Sequence, residues 1–460
     1  MAGFERLTMA DVDFGIEKKE VDTFLVAFTD MQGRLVGRRV TTEYFLTDVM
    51  TSGMRVPAHL LTTDAGLVPA DGFALANRTT GFGDLVARVD LGSLHRMPWQ
   101  PGTLGVLGDL ETPDGSAVSV SPRAVLRRQA KRLETASLTA ALGAEPQFTT
   151  FQDTHADAAI RGFSALTPIT IGGGSHSAFR SARSEPLLRR IRRSLAEVPM
   201  GVEGTVGLGS PGQYEVTLRP DDLLIACDHL TILREAVKDI AADEGGSATF
   251  MAAYSDGIGT ACHLSLSLRG IRGTLTFADR HGEAGLSEAG KSFIAGILAH
   301  ASELSLMYAP NANSYRRFAG DPLSPSAANW GQDNRTCAVR VVGTEGTLRV
   351  ENRIPGSDAN PYLAAAAMVA AGLDGTDRHL RPEPAVDGDG HHTGSTPLPV
   401  TLEDALAAWT GSTWVTDTFG AEMQDHYANL ARVEIEAARA SAPGGASDLG
   451  WERARYFEGC

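Results

Sequence analysis

What this sequence has little of narrows the field first. Its four cysteines (Cys227, Cys262, Cys337, Cys460) are scattered and form no CxxC pair, so neither a disulfide scaffold nor a zinc ribbon is expected and a reducing, cytoplasmic setting fits. Basic charge is in deficit. The 41 Lys and Arg stand against 56 Asp and Glu, a net charge of −15, which excludes a chain-wide cationic field for nucleic acid. Long apolar runs are missing as well. The longest, Tyr362 to Leu373, is alanine-rich and shorter than the about 20 residues a bilayer demands. The opening stretch MAGFERLTMADVDFGIEKKE is charged throughout and has no apolar signal-peptide core. Neither a membrane nor a nucleic acid is expected as a partner. The remainder is ordinary: 43% hydrophobic and 21% charged residues over 460 positions supply a large core and two or three domains, or one large domain with an appendage.

Residues 21–120 read as short strands punctuated by turns. VDTFLVAFTD is β-branched and aromatic, MQGR supplies a turn, and LVGRRVTT resumes the strand pattern. SPRAVLRRQAKRLETA then opens a helix, with Ser121 at the N-cap and Pro122 just inside it, so a domain boundary is placed at about residue 120. Beyond it strands and helices mix without regular alternation, an α+β pattern. YEVTLRP and TACHLSLSLRG alternate as strands, while HLTILREAVKDIAADEG and KSFIAGILAHASELSLMYA carry helical apolar spacing. The basic run from Arg180 to Arg193 contains Leu187, Leu188, Ile191 and Leu195 at helical spacing and reads as an amphipathic helix with a cationic outer face. Gly172-Gly173-Gly174 lacks the GK[ST] ending of a phosphate loop. Arg381 to Pro399 is a Pro/Gly/Asp-rich surface loop, and His391-His392 within it lack ligand partners nearby in sequence, so a solvated loop is the reading.

Four short strand-like stretches concentrate carboxylates, a histidine and arginines. Residues two apart on a strand share a face, so Glu145 pairs with Gln147, Gln213 with Glu215, and His263 with Ser265 and Ser267. Arg349, Glu351 and Arg353 form a charged i, i+2, i+4 set. Buried charges are costly unless paired or bound to metal, so a strand presenting Arg, Glu and Arg on one face suggests an anionic substrate and a cation in a shared cavity. Asn313-Ser-Tyr-Arg316-Arg317, Trp330-Gly-Gln-Asp-Asn-Arg335 and Arg340 lie upstream, and arginine forks match phosphate and carboxylate oxygens.

The order and wording of these motifs resemble the glutamine synthetase family, particularly its branch that makes γ-glutamyl amides from amines. The resemblance runs over nearly the whole chain, from FTDMQGRLVGRRV through PGQYEV, NSYRRF, WGQDNR and RVENRIPGSDANPYLAAAA to WERARYFEG. It implies a small N-terminal β-grasp-like domain (1–120) and a catalytic domain (121–460) with a curved antiparallel sheet. It further implies stacked homo-oligomeric rings (two hexamers forming a dodecamer), ATP with Mg²⁺ or Mn²⁺, and amide formation through an acyl phosphate. Carried over position by position, Glu145, His263 and Glu351 match the ligands of the metal on the nucleotide phosphates. Arg335 and Arg340 match phosphate-stabilising arginines, Arg349 and Ser267 match nucleotide contacts, and Arg317 and Arg353 match the grips on substrate carboxylates.

The departures fall elsewhere. The three glutamates of the second metal site become Gln147, Gly207 and Glu215, so one anionic ligand remains there. The ammonium pocket's flap glutamate becomes Leu323, in Pro322-Leu323-Ser324-Pro325, and its other glutamate is the one replaced by Gly207. Ile258, before Gly259, stands where the family has an asparagine beside the amino acid's ammonium group, Ala253 replaces a lysine, and Ser265 replaces the second histidine of an HxH pair. Asp30 matches the remaining pocket carboxylate and is expected either to take a proton from the attacking amine or to cap the turn before Gly33. Losing two carboxylates weakens capture of a small cation and suits a bulkier, partly apolar amine. The leading expectation is an ATP-dependent carboxylate–amine ligase, with glutamate or a related acid as acyl donor. The alternatives are a decayed homologue that binds nucleotide or metabolite as a regulator, and acyl transfer without ATP.

Overall fold

The structure, a computed structural model, describes residues 7–442 and 448–460. The start of the charged N-terminal stretch lies outside the described residues, as does the side chain of Arg180 at the head of the basic run. The β-branched, aromatic opening forms Thr23–Thr29 (β1), and Leu35–Thr41 (β2) folds back against it across a turn in which Gly33 adopts φ +84. Met54–Pro57 (β3), Asp84–Arg96 (β4) and Thr103–Glu111 (β5) complete a five-stranded sheet in the order β2-β1-β5-β4-β3, antiparallel except for the β1–β5 pair.

The helix predicted from Ser121 spans Pro122–Thr135 and leads into Leu138–Phe151 (β6). Val202–Gly207 (β7), Gln213–Asp222 (β8), Ser247–Thr249 (β9), Cys262–Gly270 (β10), Trp330–Gln332 (β11), Val339–Val342 (β12) and Arg349–Asn352 (β13) join it in a second sheet. Its order is β11-β12-β13-β10-β6-β8-β7 with β9 beside β6, and all pairs are antiparallel except β11–β12. The chain is thus α+β, with the glutamine-synthetase-like arrangement of a small sheet followed by a larger curved one. One face of β6 is core: Ala144, Pro146 and Phe148 are buried while Glu145 and Gln147 between them are half-buried on the other face. The pleat therefore separates packing from chemistry residue by residue.

Helices back the core face. Leu223–Asp243 and Pro122–Thr135 pack on β6, and the alanine-rich run becomes the buried helix Pro361–Asp377. Small residues let that helix approach Glu288–Ala299 backbone to backbone. A Cβ on Gly296 would come 2.0 Å from the Ala371 carbonyl oxygen, and one on Gly375 would come 2.1 Å from that of Ser292. The single helix expected for KSFIAGILAHASELSLMYA divides into Glu288–Ala299 and Ser305–Tyr308. At the break His300 is held between Glu303 and Asp374 and stacked 3.6 Å from the Trp414 ring. The basic run forms Glu185–Ala196, burying Leu187, Leu188, Ile191 and Leu195 as expected.

Among the described residues a smaller apolar cluster gathers Phe151, Met251 and Phe457, and a large apolar core runs beneath both sheets. Arg123 ties them together: it bonds Asp90 of β4 (3.1 Å), Asp109 of β5 (2.7 Å) and Asp228 of the Leu223–Asp243 helix (2.7 Å). Tyr362 Oη donates to the same Asp228 at 2.6 Å. A buried guanidinium surrounded by three carboxylates is held charged, its pKa raised well above the ordinary value despite desolvation. Among the described residues no helix is long and apolar enough to cross a membrane.

Candidate active site

Strand register decides which charges meet. In the second sheet His263 lies opposite Glu145, Gln147 opposite Glu215, and Glu351 opposite both Ser265 and Arg340. Five strands (β12, β13, β10, β6 and β8) thereby bring Arg340, Glu351, His263, Glu145 and Glu215 to one polar face. His263 Nδ1 lies 3.8 Å from Glu145 Oε2 and 3.9 Å from Glu351 Oε1. Ligand atoms of Glu145, Glu215 and His263 all fall within 4.8 Å of one another. The histidine stands among the three carboxylates, and Glu215, which the resemblance assigns to a second metal, joins the same group.

The electrostatics of this group call for a cation. Burial, then the charge of Glu145, pushes the Glu215 carboxyl up to about 7, against the opposing donation from Gln147. Burial, then the Arg353 guanidinium, holds His263 well below its ordinary value, so its imidazole is neutral and able to ligate. Two converging carboxylates beside a neutral imidazole match the donor set of a divalent metal with hard preferences. Glu351 is fully buried and clamped from both sides, by Arg340 Nη1 at 3.0 Å and by Arg353 Nη1 at 2.6 Å. These forks fix its orientation. Arg340 is itself braced by Asp333.

Gln147 does something its sequence position alone did not reveal. Its Oε1 accepts the Ala261 N–H at 2.9 Å, and its Nε2 donates to Glu215 Oε2 at 3.0 Å. The amide therefore aims Glu215 toward Glu145 and His263; a glutamate here would have no proton to give and would add a second carboxylate beside the first. Ser357 supports the same corner. Its Oγ lies 2.6 Å from both the Gln147 and the Ala261 carbonyl oxygens. Arg234 holds the carbonyls of Ser357 and Ala359 from behind. Neither Ser357 nor Arg234 was singled out from the sequence, although Ser357 sits within the quoted RVENRIPGSDANPYLA motif.

The expected carboxylate grips are buried and incompletely engaged. Arg317 Nη1 donates to Ser324 Oγ (3.3 Å) and its Nη2 to the Ile354 carbonyl, while burial drives its pKa down to about 10. Arg353 Nη2 reaches the Leu323 carbonyl at 3.4 Å. In both arginines Nε is buried without a partner. Gly259 is required for this packing, because a Cβ there would come 2.5 Å from Arg317 Cγ, and Gln213 Nε2 donates to the Gly259 carbonyl at 2.6 Å. Ile258 is half-buried beside it. Ser267 on β10 and Arg349 on β13 lie farther along their strands, both half-buried. Arg335 is exposed, in a loop after β11, with Asp333 4.0 Å away.

Asp30 lies in the turn between β1 and β2. Its side chain is fully buried, Oδ1 accepts the backbone N–H groups of Gln32 (3.0 Å) and Arg34 (2.9 Å), and Oδ2 is paired with Arg34 Nε at 2.7 Å. All of these contacts lie within its own turn, as the capping alternative expects. Asn360 docks that turn against the site-bearing segment by donating to the Asp30 carbonyl at 3.0 Å.

The two positions that replace family glutamates differ in setting. Gly207 ends β7, and a Cβ there would meet nothing nearer than the Gly174 carbonyl oxygen at 3.6 Å. Its φ lies outside the left-handed region, so neither sterics nor backbone requires glycine. Leu323, at the tip of the flap, is 50% exposed.

Residues 119–444 match the family described as glutamine synthetase, catalytic domain. A γ-glutamylethanolamide synthetase of Streptomyces coelicolor is 42% identical, covering 95% of this chain and 93% of its own. A glutamate–isopropylamine ligase of a Pseudomonas species is 32% identical over 96% of each. A solved GmaS–ADP complex superimposes with TM-score 0.81 at 26% identity, covering 96% of this chain and 97% of that one. Fold and relatives together define a carbon–nitrogen ligase, here with an acidic floor. The chain belongs to the glutamine synthetase family.

Proposed function

We propose that this chain is an ATP-dependent ligase that joins glutamate, or a closely related acid, to an organic amine in preference to ammonia. The acid's carboxylate oxygen attacks the γ-phosphorus of ATP, the bond to ADP breaks, and an acyl phosphate forms. The amine nitrogen then attacks the acyl carbon, phosphate leaves, and the nitrogen's surplus proton is released. Glu145, His263 and Glu351, with Glu215 beside them, would hold a Mg²⁺ or Mn²⁺ ion, which supplies neutralisation of phosphate charge.

The chain's own residues divide the remaining work. Arg317 and Arg353 offer buried N–H groups to carboxylate oxygens. Arg340 and Arg353 keep Glu351 fixed, so the charge near the phosphates needs no reorganisation during transfer. Arg335, Arg349 and Ser267 are the remaining candidates for nucleotide contacts.

The observation that carries the amine preference is Gly207. A position that could accept a side chain, and on a family pattern would hold a carboxylate, has none, and the flap position that would hold another carries an exposed leucine. Ammonium needs converging carboxylates, whereas an alkylamine needs room and apolar wall. The relatives named for ethanolamine and isopropylamine support the same reading. The resemblance also supports homo-oligomeric rings, which light scattering tests, and the four free thiols suit a reducing cytoplasm.

The deciding experiment incubates purified protein with ATP, Mg²⁺ and glutamate, and follows ADP with ethanolamine, isopropylamine, a diamine or ammonium. Amine-dependent ADP release with amide product, and little with ammonium, is the expected result. Equal turnover with ammonium overturns the amine preference, and no ADP release across a broad panel of acids and amines overturns the ligase reading.

A further inference from the structure

The surface loop 381–399 left His391 without an assigned role, yet both of its ring nitrogens meet the flap. Nε2 lies 2.9 Å from the Pro322 carbonyl oxygen and Nδ1 lies 3.0 Å from Ser326 Oγ. A carbonyl only accepts, so Nε2 carries the proton and Nδ1 accepts from the serine hydroxyl; one neutral tautomer satisfies both. The imidazole therefore bridges the two ends of the segment whose tip is Leu323. The backbone reinforces the union: Leu398 N–H donates to the Ser326 carbonyl (3.0 Å), and Ala328 N–H to that of Thr396 (2.8 Å).

From the opposite side the same flap is held by Arg353, through the Leu323 carbonyl, and by Arg317, through Ser324 Oγ. Those are the arginines with spare buried donors. When a carboxylate engages them, their grip on the flap is open to exchange, while the His391 contacts touch no substrate and persist.

We propose that His391 is a positioning residue that presets the flap, so that Leu323 forms the amine-facing wall before the amine arrives. The inference rests on the ligase reading above. Without the imidazole, ordering the flap becomes part of the cost of amine binding. Water also gains access to the acyl phosphate. Its oxygen then bonds the acyl carbon, the carbon–oxygen bond to phosphate breaks, and acid and inorganic phosphate result with a proton lost to solvent, consuming ATP without amide.

His391→Ala, His391→Gln and Ser326→Ala test this. In His391→Ala the KM for amine is expected to rise about tenfold with kcat and the KM for glutamate changed far less. ADP formed per amide rises above one, and hydrogen exchange quickens at the Leu323, Ser324 and Ser326 amides. Gln can donate and accept as the imidazole does and restores part of each; Ser326→Ala, losing one of the two contacts, falls between, which separates the effect from general misfolding. Unchanged amine KM, coupling ratio and flap exchange in His391→Ala overturn the proposal. Should the wild type release no ADP with any amine, the ligase reading fails separately. The exchange measurement then still decides whether His391 holds the flap.

Discussion

The two sides of the cavity are built in opposite ways. On the phosphate side, charges sit on neighbouring strands and brace one another: Glu351 takes one arginine on each oxygen, and His263 stands among three carboxylates. On the amine side, Gly207 ends a strand with no side chain and Leu323 is carried on a loop. A chemistry common to all substrates is thus placed where register is rigid, because shifting one strand by a residue would turn every charge into the core. On the reading proposed above, substrate choice falls to two positions, one at a strand end and one on a loop.

That contrast can be broken most forcefully on the rigid side. Replacing His263 by Ala is expected to lower amine-dependent ADP release by about 100-fold or more, and removing metal from the wild type with EDTA should bring it to the same level. Steady-state assays with added Mn²⁺ check this, and a variant that keeps wild-type turnover would remove the metal role. The permissive side should instead change selectivity. Gly207→Glu has room for its Cβ, so the protein should fold, and the ratio of kcat/KM for ammonium over ethanolamine should rise by about 10-fold or more. An unchanged ratio would show that Gly207 does not set the choice.

Gln147 lies at the seam between the two sides. Gln147→Glu places a second carboxylate against Glu215, and the metal-free protein should lose about 1–2 kcal/mol. The gain in Tm on adding Mn²⁺ should exceed that of the wild type. Equal melting curves with and without metal in both proteins would contradict it.

The smallest expected effect lies outside the cavity and serves as its control. His426 is buried, its Nε2–H donates to the Leu61 carbonyl (2.8 Å), and desolvation pushes it down to about 4. Unfolded, it titrates near 6.5. The unfolded state therefore binds the extra proton first. Its contribution to stability is complete above about 6.5 and is lost as pH falls toward 4. His426→Gln should flatten that part of the stability–pH curve in denaturant titrations while leaving amine selectivity untouched.

Much of the cavity was legible before any coordinates. The i, i+2 spacing placed Glu145 with Gln147 and Gln213 with Glu215, and the alternation of TACHLSLSLRG put His263, Ser265 and Ser267 on one face. What the sequence left open shares a cause. Asp30 looked equally suited to two roles because nothing local states how deeply a turn is buried. The two hydrogen bonds of Gln147 were not foreseen because its partners, Ala261 and Glu215, lie 114 and 68 residues away. The long helix over 291–309 broke at His300 because Asp374 and Trp414, both distant in sequence, offered that ring better company than another helical turn.

The sequence by itself determined the strands, the alternation of core and polar positions, the family and the inventory of charges, since each is written in short-range spacing and residue type. Only the tertiary structure decided that Glu215 joins Glu145 and His263, that Asp30 is sealed in its turn, and that His391 grips the flap. Those outcomes depend on register and burial, which arise when segments hundreds of residues apart exclude water from one another and leave each polar atom a limited choice of partners.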